Sequence, residues 1–169
     1  MSPGSVESGV ILWHEGRRTP LRHLFELADD SSTQIDSYID LGRVLVARNA
    51  RGEILGHIQL IPTASADTVE LNSIAVREDH QRTGIGRRLV NRALAICREE
   101  GAQTVTVTTA TADLDNLRFY QRCGFRATTI ERDVFTEAKG YPPQLEANGI
   151  PVRDSITFTL LLDAVALVD

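Results

Sequence analysis

The chain has little of what metal centres and disulfide frameworks need. Its 169 residues hold two cysteines, Cys97 and Cys123, with no CxxC pair and no metal-ligand spacing. The four histidines, His14, His23, His57 and His80, form no HExxH or HxH group, so no metal is expected. No apolar run approaches the roughly 20 residues that a membrane helix requires. Met1–Gly9 has neither the basic start nor the apolar stretch of a secretory leader. A cytoplasmic protein with no membrane partner is the expectation. A dominant charge is lacking too: 23 acids against 18 bases leave a net charge of -5. Phosphate backbones call for a basic field, so nucleic acid is not an expected partner. The acidic balance is compatible with a cationic small molecule.

What is present belongs to a globular chain. An apolar share of 42% against 24% charged excludes disorder, and a fold of this length buries roughly 70% of its extended surface. No repeat or Gly/Ser/Pro linker divides the chain, so residues 1–169 are expected to form one domain, with 1–9 a flexible end. Val10–His14 reads as a strand. Thr19 as N-cap and Pro20 at the first helical position open a helix whose apolar face is Leu21, Leu24, Phe25 and Ala28. Ser31 or Ser32 starts a second helix carrying Ile35, Tyr38, Ile39 and Leu41, which ends at Gly42. Val44–Ala47 and Ile54–Ile61 read as an antiparallel hairpin, followed by a strand over Thr68–Val76.

Gly84–Gly101 is the clearest helix, with Ile85, Leu89, Ala93, Ile96 and Cys97 on one stripe. Val105–Thr109 is β-branched throughout and is expected as a buried strand. A helix over Leu114–Cys123, a strand over Phe125–Val134, a loop over Thr136–Pro151 and a strand over Ser155–Leu162 follow. This order implies an α/β fold, a mixed α+β sheet with helices on both faces.

Between a strand and the strong helix lies Gln81-Arg82-Thr83-Gly84-Ile85-Gly86-Arg87. Glycines let successive backbone amides converge, and the helix start adds about half a positive charge, so the segment can cradle an anion. It is neither GxGxxG nor GxxxxGK[ST], which excludes the dinucleotide and Walker readings. By itself it reads equally well as a glycine-containing turn.

Ile74-Ala75-Val76 followed by Q-x-x-G-x-G resembles the acetyl-CoA motif of the GNAT superfamily of N-acetyltransferases. Asn116-Leu117-Arg118-Phe119-Tyr120 through Gly124-Phe125 is similar to that family's second signature. The resemblance implies a GNAT-type fold, a twisted, mostly antiparallel sheet of about seven strands splayed at the cofactor site. It implies acetyl-CoA as co-substrate and direct transfer of its acetyl group to a primary amine, with no covalent enzyme intermediate. Gln81, Arg82, Thr83, Gly84, Ile85, Gly86 and Arg87 would hold the pyrophosphate, with Arg82, Arg87 and Arg88 near the phosphates. Ile74, Ala75 and Val76 would line the pantetheine arm, and Val105–Thr109 would form the other wall. Asn116 would bond the pantetheine, and Tyr120 would protonate the departing thiolate, a transfer suited to a phenol of pKa ~10.

Glu70 lies eleven residues before Gln81, where several relatives carry their base. Strand alternation would set residues 70, 72, 74 and 76 on one wall. Glu70 is either that base or a solvated strand-end acid. Asp29, Asp30, Asp36 and Asp40 crowd the first helices, either as sites for a cationic acceptor or as a solvated face. Asp29, Asp36, His57, Asn72 and Tyr141 are the substrate-binding candidates. The loop from Gly140 to Asp154 suits a substrate lid. It resembles the tail of a subgroup that acetylates aminoglycosides such as kasugamycin, which implies antibiotic resistance. Protein acetylation and acyl-CoA sensing without turnover are the rival readings. The apolar tail Leu160–Leu162 with Val165 to Val168 would suit a homodimer.

Overall fold

Apolar periodicity explains the elements of the computed structural model, which describes residues 9–163. Of the expected flexible end Met1–Gly9 only Gly9 is among them, and the tail Val165–Val168 lies outside them. In chain order the elements are β1 (Val10–Trp13), α1 (Arg22–Ala28), α2 (Ser32–Tyr38), β2 (Arg43–Arg48), β3 (Ile54–Pro62), β4 (Thr68–Val76), α3 (Ile85–Glu99), β5 (Thr104–Ala110), α4 (Leu114–Arg122), β6 (Arg126–Glu131), β7 (Glu146–Ala147), β8 (Ile150–Pro151) and β9 (Ser155–Leu161). Seven strands form one sheet in the order β1-β2-β3-β4-β5-β9-β6. Every pairing in it is antiparallel except β4 with β5.

Helices cover both faces, as the apolar patterns of the strands require. Leu45 and Ala47 of β2 pack with α3, whereas Val44 and Val46 pack with Leu21, Phe25 and Ile35 on the opposite face. Leu89, Val90 and Ala93 of α3 have no exposed surface. Burying a Leu or Val side chain contributes about 1.5–3 kcal/mol, so this stripe anchors α3 to the sheet.

Several local expectations are corrected. Thr19 does not cap α1: Thr19–Leu21 is a 3-10 turn preceded by Arg18, which makes no side-chain cap, and α1 begins at Arg22. α2 ends at Tyr38, short of Gly42, because the Arg18 guanidinium donates to the carbonyls of Ile39, Leu41 and Gly42 and holds that segment. β5 is buried only at Val105 and Val107, since Thr104, Thr106 and Thr108 face the other way and Thr109 lies past the end of the pairing with β4. The expected loop at Thr136–Pro151 contains the β7–β8 hairpin, turned by Asn148 and Gly149 at positive φ.

The most consequential departure is in β4. Gln59 pairs with Ser73 but Leu60 pairs with Leu71, so Asn72 is an extra residue with no partner in β3. Such a bulge inverts the side-chain alternation across it. Leu71, Ile74 and Val76 pack with the α3 layer. Ser73 and Ala75 pair with Gln59 and His57, which sit opposite Val44 and Val46, so they face α1 and α2. Glu70, 72, 74 and 76 therefore do not share one wall.

Candidate active site

β4 and β5 pair only over Thr68–Leu71 and Thr104–Val107. Beyond that point they separate, and a cavity of about 990 Å³ opens between them. One wall is Asn72–Val76 and the other is Thr108–Ala110, with α4 and the start of α3 above and the α1–α2 junction below.

At the head of α3 the chain reverses through Arg82 at φ 60° and Gly84 at φ 88°. Gly84 is the residue before the first turn, and the first amides of a helix have no acceptor within it. Alternating handedness of this kind gathers amides into an anion-binding concavity. Gln81, Arg82, Gly84, Ile85, Gly86 and Arg87 line the cavity. Thr83 does not, its hydroxyl being turned to the carbonyl of His80 at 2.5 Å. The Gln81 side chain donates to the carbonyl of Val76, 3.1 Å away, and so ties the loop to the end of β4. Arg88 leaves the site, donating to the carbonyl of Gly9 at 2.6 Å.

On α4, Asp113 caps the helix by accepting from the amide of Asn116, 3.0 Å away. The Asn116 side chain donates to Asp113 at 2.8 Å and to Thr109 at 3.2 Å, joining α4 to the far wall. Tyr120 lies one turn on, 5% exposed and among the rings of Phe119, Phe125 and Phe158. Burial pushes its phenol pKa well above the ordinary value, with Asp113 and Cys123 adding to the effect. The match to a thiolate of pKa ~10 expected from the sequence is therefore altered: the phenol is a weaker acid and stays protonated.

Glu70 is half-buried at the same cavity, and burial raises the pKa of its carboxyl. Below it, Asp29 accepts from the Tyr38 hydroxyl at 3.0 Å and from the amide of Ser31 at 3.0 Å. Tyr141, from the segment before β7, lines the cavity with Asp29 and stands edge-on against Phe135 at 5.0 Å, and burial, with the nearby charge of Asp29, pushes its phenol pKa up. The Asp30 carboxyl is raised by burial and then by the charges of Asp29 and Asp113, which places the three acids in one field.

Two other candidates do not reach the cavity. Asp36 is exposed and paired with Arg22 at 2.6 Å. His57 is fully buried against Phe25, with ring centroids 4.3 Å apart. Burial, with a smaller effect from His23, pulls its pKa down to about 3, so the ring is neutral. It acts from behind the wall, because its Nε2 lies 2.8 Å from the hydroxyl of cavity-lining Ser73. Gln59 plays a parallel part behind Asn72, with 2.9 Å between their side-chain amides. Ser73 and Gln59 were not among the sequence candidates. The available signal was a pair of polar residues, His57 and Gln59, in an otherwise apolar strand.

The Acetyltransferase (GNAT) family profile matches residues 12–125. The uncharacterized N-acetyltransferase YvbK of Bacillus subtilis is 33% identical over 140 residues, covering 83% of this chain and 88% of that protein. A splayed sheet with an amide cradle, joined to these matches, defines the class: the chain belongs to the GNAT acetyltransferase family. It is an acetyl-CoA-dependent N-acetyltransferase. A Bacillus subtilis acetyltransferase solved in complex with CoA is similar at TM-score 0.81 and 33% identity, covering 90% of this chain and 98% of that one. A GNAT enzyme from Elizabethkingia anophelis with acetyl-CoA bound gives TM-score 0.83 and 31% identity over 92% of this chain and 99% of that one. An IAA acetyltransferase from Bacillus cereus gives TM-score 0.82 and 34% identity over 92% of this chain and all of that one (100%). Among the described residues no helix is long and apolar enough to cross a membrane.

Proposed function

We propose that the acceptor is a primary amine on a small cationic molecule, with an aminosugar antibiotic such as kasugamycin as the leading case. The observation that carries this is the division of charge around the cavity. Asp29, Asp30, Glu70 and Asp113 lie toward the α1–α2 junction and the α4 cap, while Arg82, Arg87, Arg118 and Arg122 surround the amide cradle. An anionic cofactor and a cationic acceptor are thus drawn to different parts of one cavity. Several carboxylates together reward a molecule with several ammonium groups through charge-assisted hydrogen bonds.

In this reading the amides from Gln81 to Arg87 hold the pyrophosphate, and the free edge of Ile74–Val76 takes the pantetheine arm. Asn116 adds a polar contact from α4. An amine of pKa ~10 must lose a proton before it attacks, at a cost of about 4 kcal/mol at pH 7. Glu70 accepts that proton, and its raised pKa makes it a stronger base than an exposed carboxylate. The amine nitrogen then bonds to the acetyl carbon, the carbon–sulfur bond breaks, Tyr120 gives its phenolic proton to the sulfur, and the second proton that the nitrogen sheds on becoming an amide passes through solvent to restore the phenol. Tyr141 stands ready to stack on a sugar ring. Thiol release from acetyl-CoA, measured against spermidine, kasugamycin and peptides with a free lysine or N-terminus, tests the reading. Turnover on a peptide exceeding that on every small polycation would overturn it.

A further inference from the structure

Asn72 occupies a singular place. It is the bulged residue of β4, the first past the end of β4–β5 pairing, and it lines the cavity close in sequence to Glu70. Its orientation follows from hydrogen-bond chemistry alone. One end of the Gln59 side chain lies 2.8 Å from the carbonyl oxygen of Tyr38 and 2.9 Å from that of Leu41. Carbonyl oxygens only accept, so this end is the amide nitrogen. The other end is then the oxygen, and it lies 2.9 Å from Asn72. Only the Asn72 nitrogen can donate to it. The Asn72 oxygen is left for the cavity. Reversing either amide would set acceptor against acceptor or donor against donor in a region where Gln59 has no exposed surface.

We propose that Asn72 orients the attacking amine by accepting a hydrogen bond from one of its N–H groups. The polarity matters because a neutral primary amine attacks through its lone pair. A side-chain NH2 group at this position would bond that lone pair and hold it away from the acetyl carbon. An oxygen bonds an N–H instead and leaves the lone pair free. Gln59, fixed by two backbone carbonyls, is the positioning residue that keeps Asn72 in the productive sense. The inference rests on the acceptor being an amine, whether or not that amine belongs to an aminosugar.

The test uses the full chain and whichever of spermidine, kasugamycin or an N-terminal alanine peptide the parent acetylates fastest. Asn72→Leu is expected to lower kcat/KM for the amine by about tenfold or more, the loss typical of a hydrogen bond to a polar or charged group. KM for acetyl-CoA should stay within about twofold. Because Asn72 does not titrate, the loss should persist at high pH, where a missing base is compensated. Gln59→Met, which leaves Asn72 free to turn, should give a smaller loss of the same kind and covers the case in which Asn72→Leu fails to fold. An unchanged kcat/KM for the amine in folded Asn72→Leu would overturn the assignment. So would a rise confined to the KM for acetyl-CoA, which would place Asn72 on the pantetheine. A parent that acetylates none of the three amines would overturn both this role and the acceptor class proposed above.

Discussion

Glu70 and Tyr120 are both withdrawn from water, and burial moves their pKa values in the same direction with opposite consequences. For Tyr120 the rise keeps the phenol protonated and makes it a weaker acid than a free phenol, so its proton moves only as charge builds on the departing sulfur. Tyr120→Phe should lower kcat by about a hundredfold, within the usual range for a general acid, with little effect on acetyl-CoA affinity. Steady-state kinetics with a separate binding titration distinguish the two; a loss confined to affinity would remove Tyr120 from the proton transfer. For Glu70 the raised pKa carries a stability cost. The folded carboxyl is harder to ionise than the unfolded one, so its favourable contribution is present at low pH and is lost as pH rises through the folded pKa. Glu70→Gln should therefore melt higher than the parent at pH 7, and the difference should fade below about pH 4, where both states are protonated. The same variant should be impaired at neutral pH and recover as pH approaches the amine's pKa. An unchanged pH–rate profile would end the case for Glu70 as base.

The elements proposed to hold the cofactor are local in sequence, and their helices and turns were legible for that reason. The glycines at 84 and 86, the apolar stripe of α3 and the Asn116–Tyr120 spacing each depend on neighbours within a few turns. Gly84 sits at φ 88° with open space where a Cβ would be, so the constraint is backbone conformation rather than crowding. Gly84→Val should strain this turn by roughly 1–3 kcal/mol and disperse the amides, abolishing the thermal shift given by acetyl-CoA. Full retention of that shift would place the cradle elsewhere. The acceptor side was poorly legible because its geometry is set across strands. A bulge at Asn72 is decided by how β4 meets β3, and no pattern within Thr68–Val76 marks it. The same bulge sends Glu70 and Val76 to different faces, which simple alternation cannot foresee. The polar pairs His57–Ser73 and Gln59–Asn72 form only once β3 and β4 are in register.

At the scale of the whole molecule, the segment from Val134 to Asp154 links parts that are distant in sequence. Ser31 donates to the carbonyl of Lys139 at 2.6 Å, which fastens one end to the head of α2. Asn148 donates to the carbonyl of Ala112 at 3.1 Å, which fastens the β7–β8 turn beside α4. On and around these anchors, Phe135, Tyr141, Leu145, Ala147 and Val152 line the cavity that Asp29 and Asp30 also line. Its hydrogen bonds to the rest of the fold run to the proposed acceptor end and to the α4 cap, and among the described residues none joins it to the Gln81–Arg87 cradle. Replacing Pro142–Gly149 by a short Gly-Ser turn should raise KM for a cationic acceptor by about tenfold, since stacking and water exclusion are lost together. Affinity for acetyl-CoA should be retained, which also reports that the sheet has folded. Attraction by Asp29, Asp30 and Asp113 adds an ionic-strength signature. Raising salt from 0.05 to 0.5 M shortens the screening length from about 14 Å to about 4 Å, so acceptor KM should climb with salt in the parent. The shortened chain keeps those acids and should show the same climb from its higher starting value. A flat salt response in both proteins would remove electrostatics from acceptor capture, leaving shape and the hydrogen bond at Asn72 to select the amine.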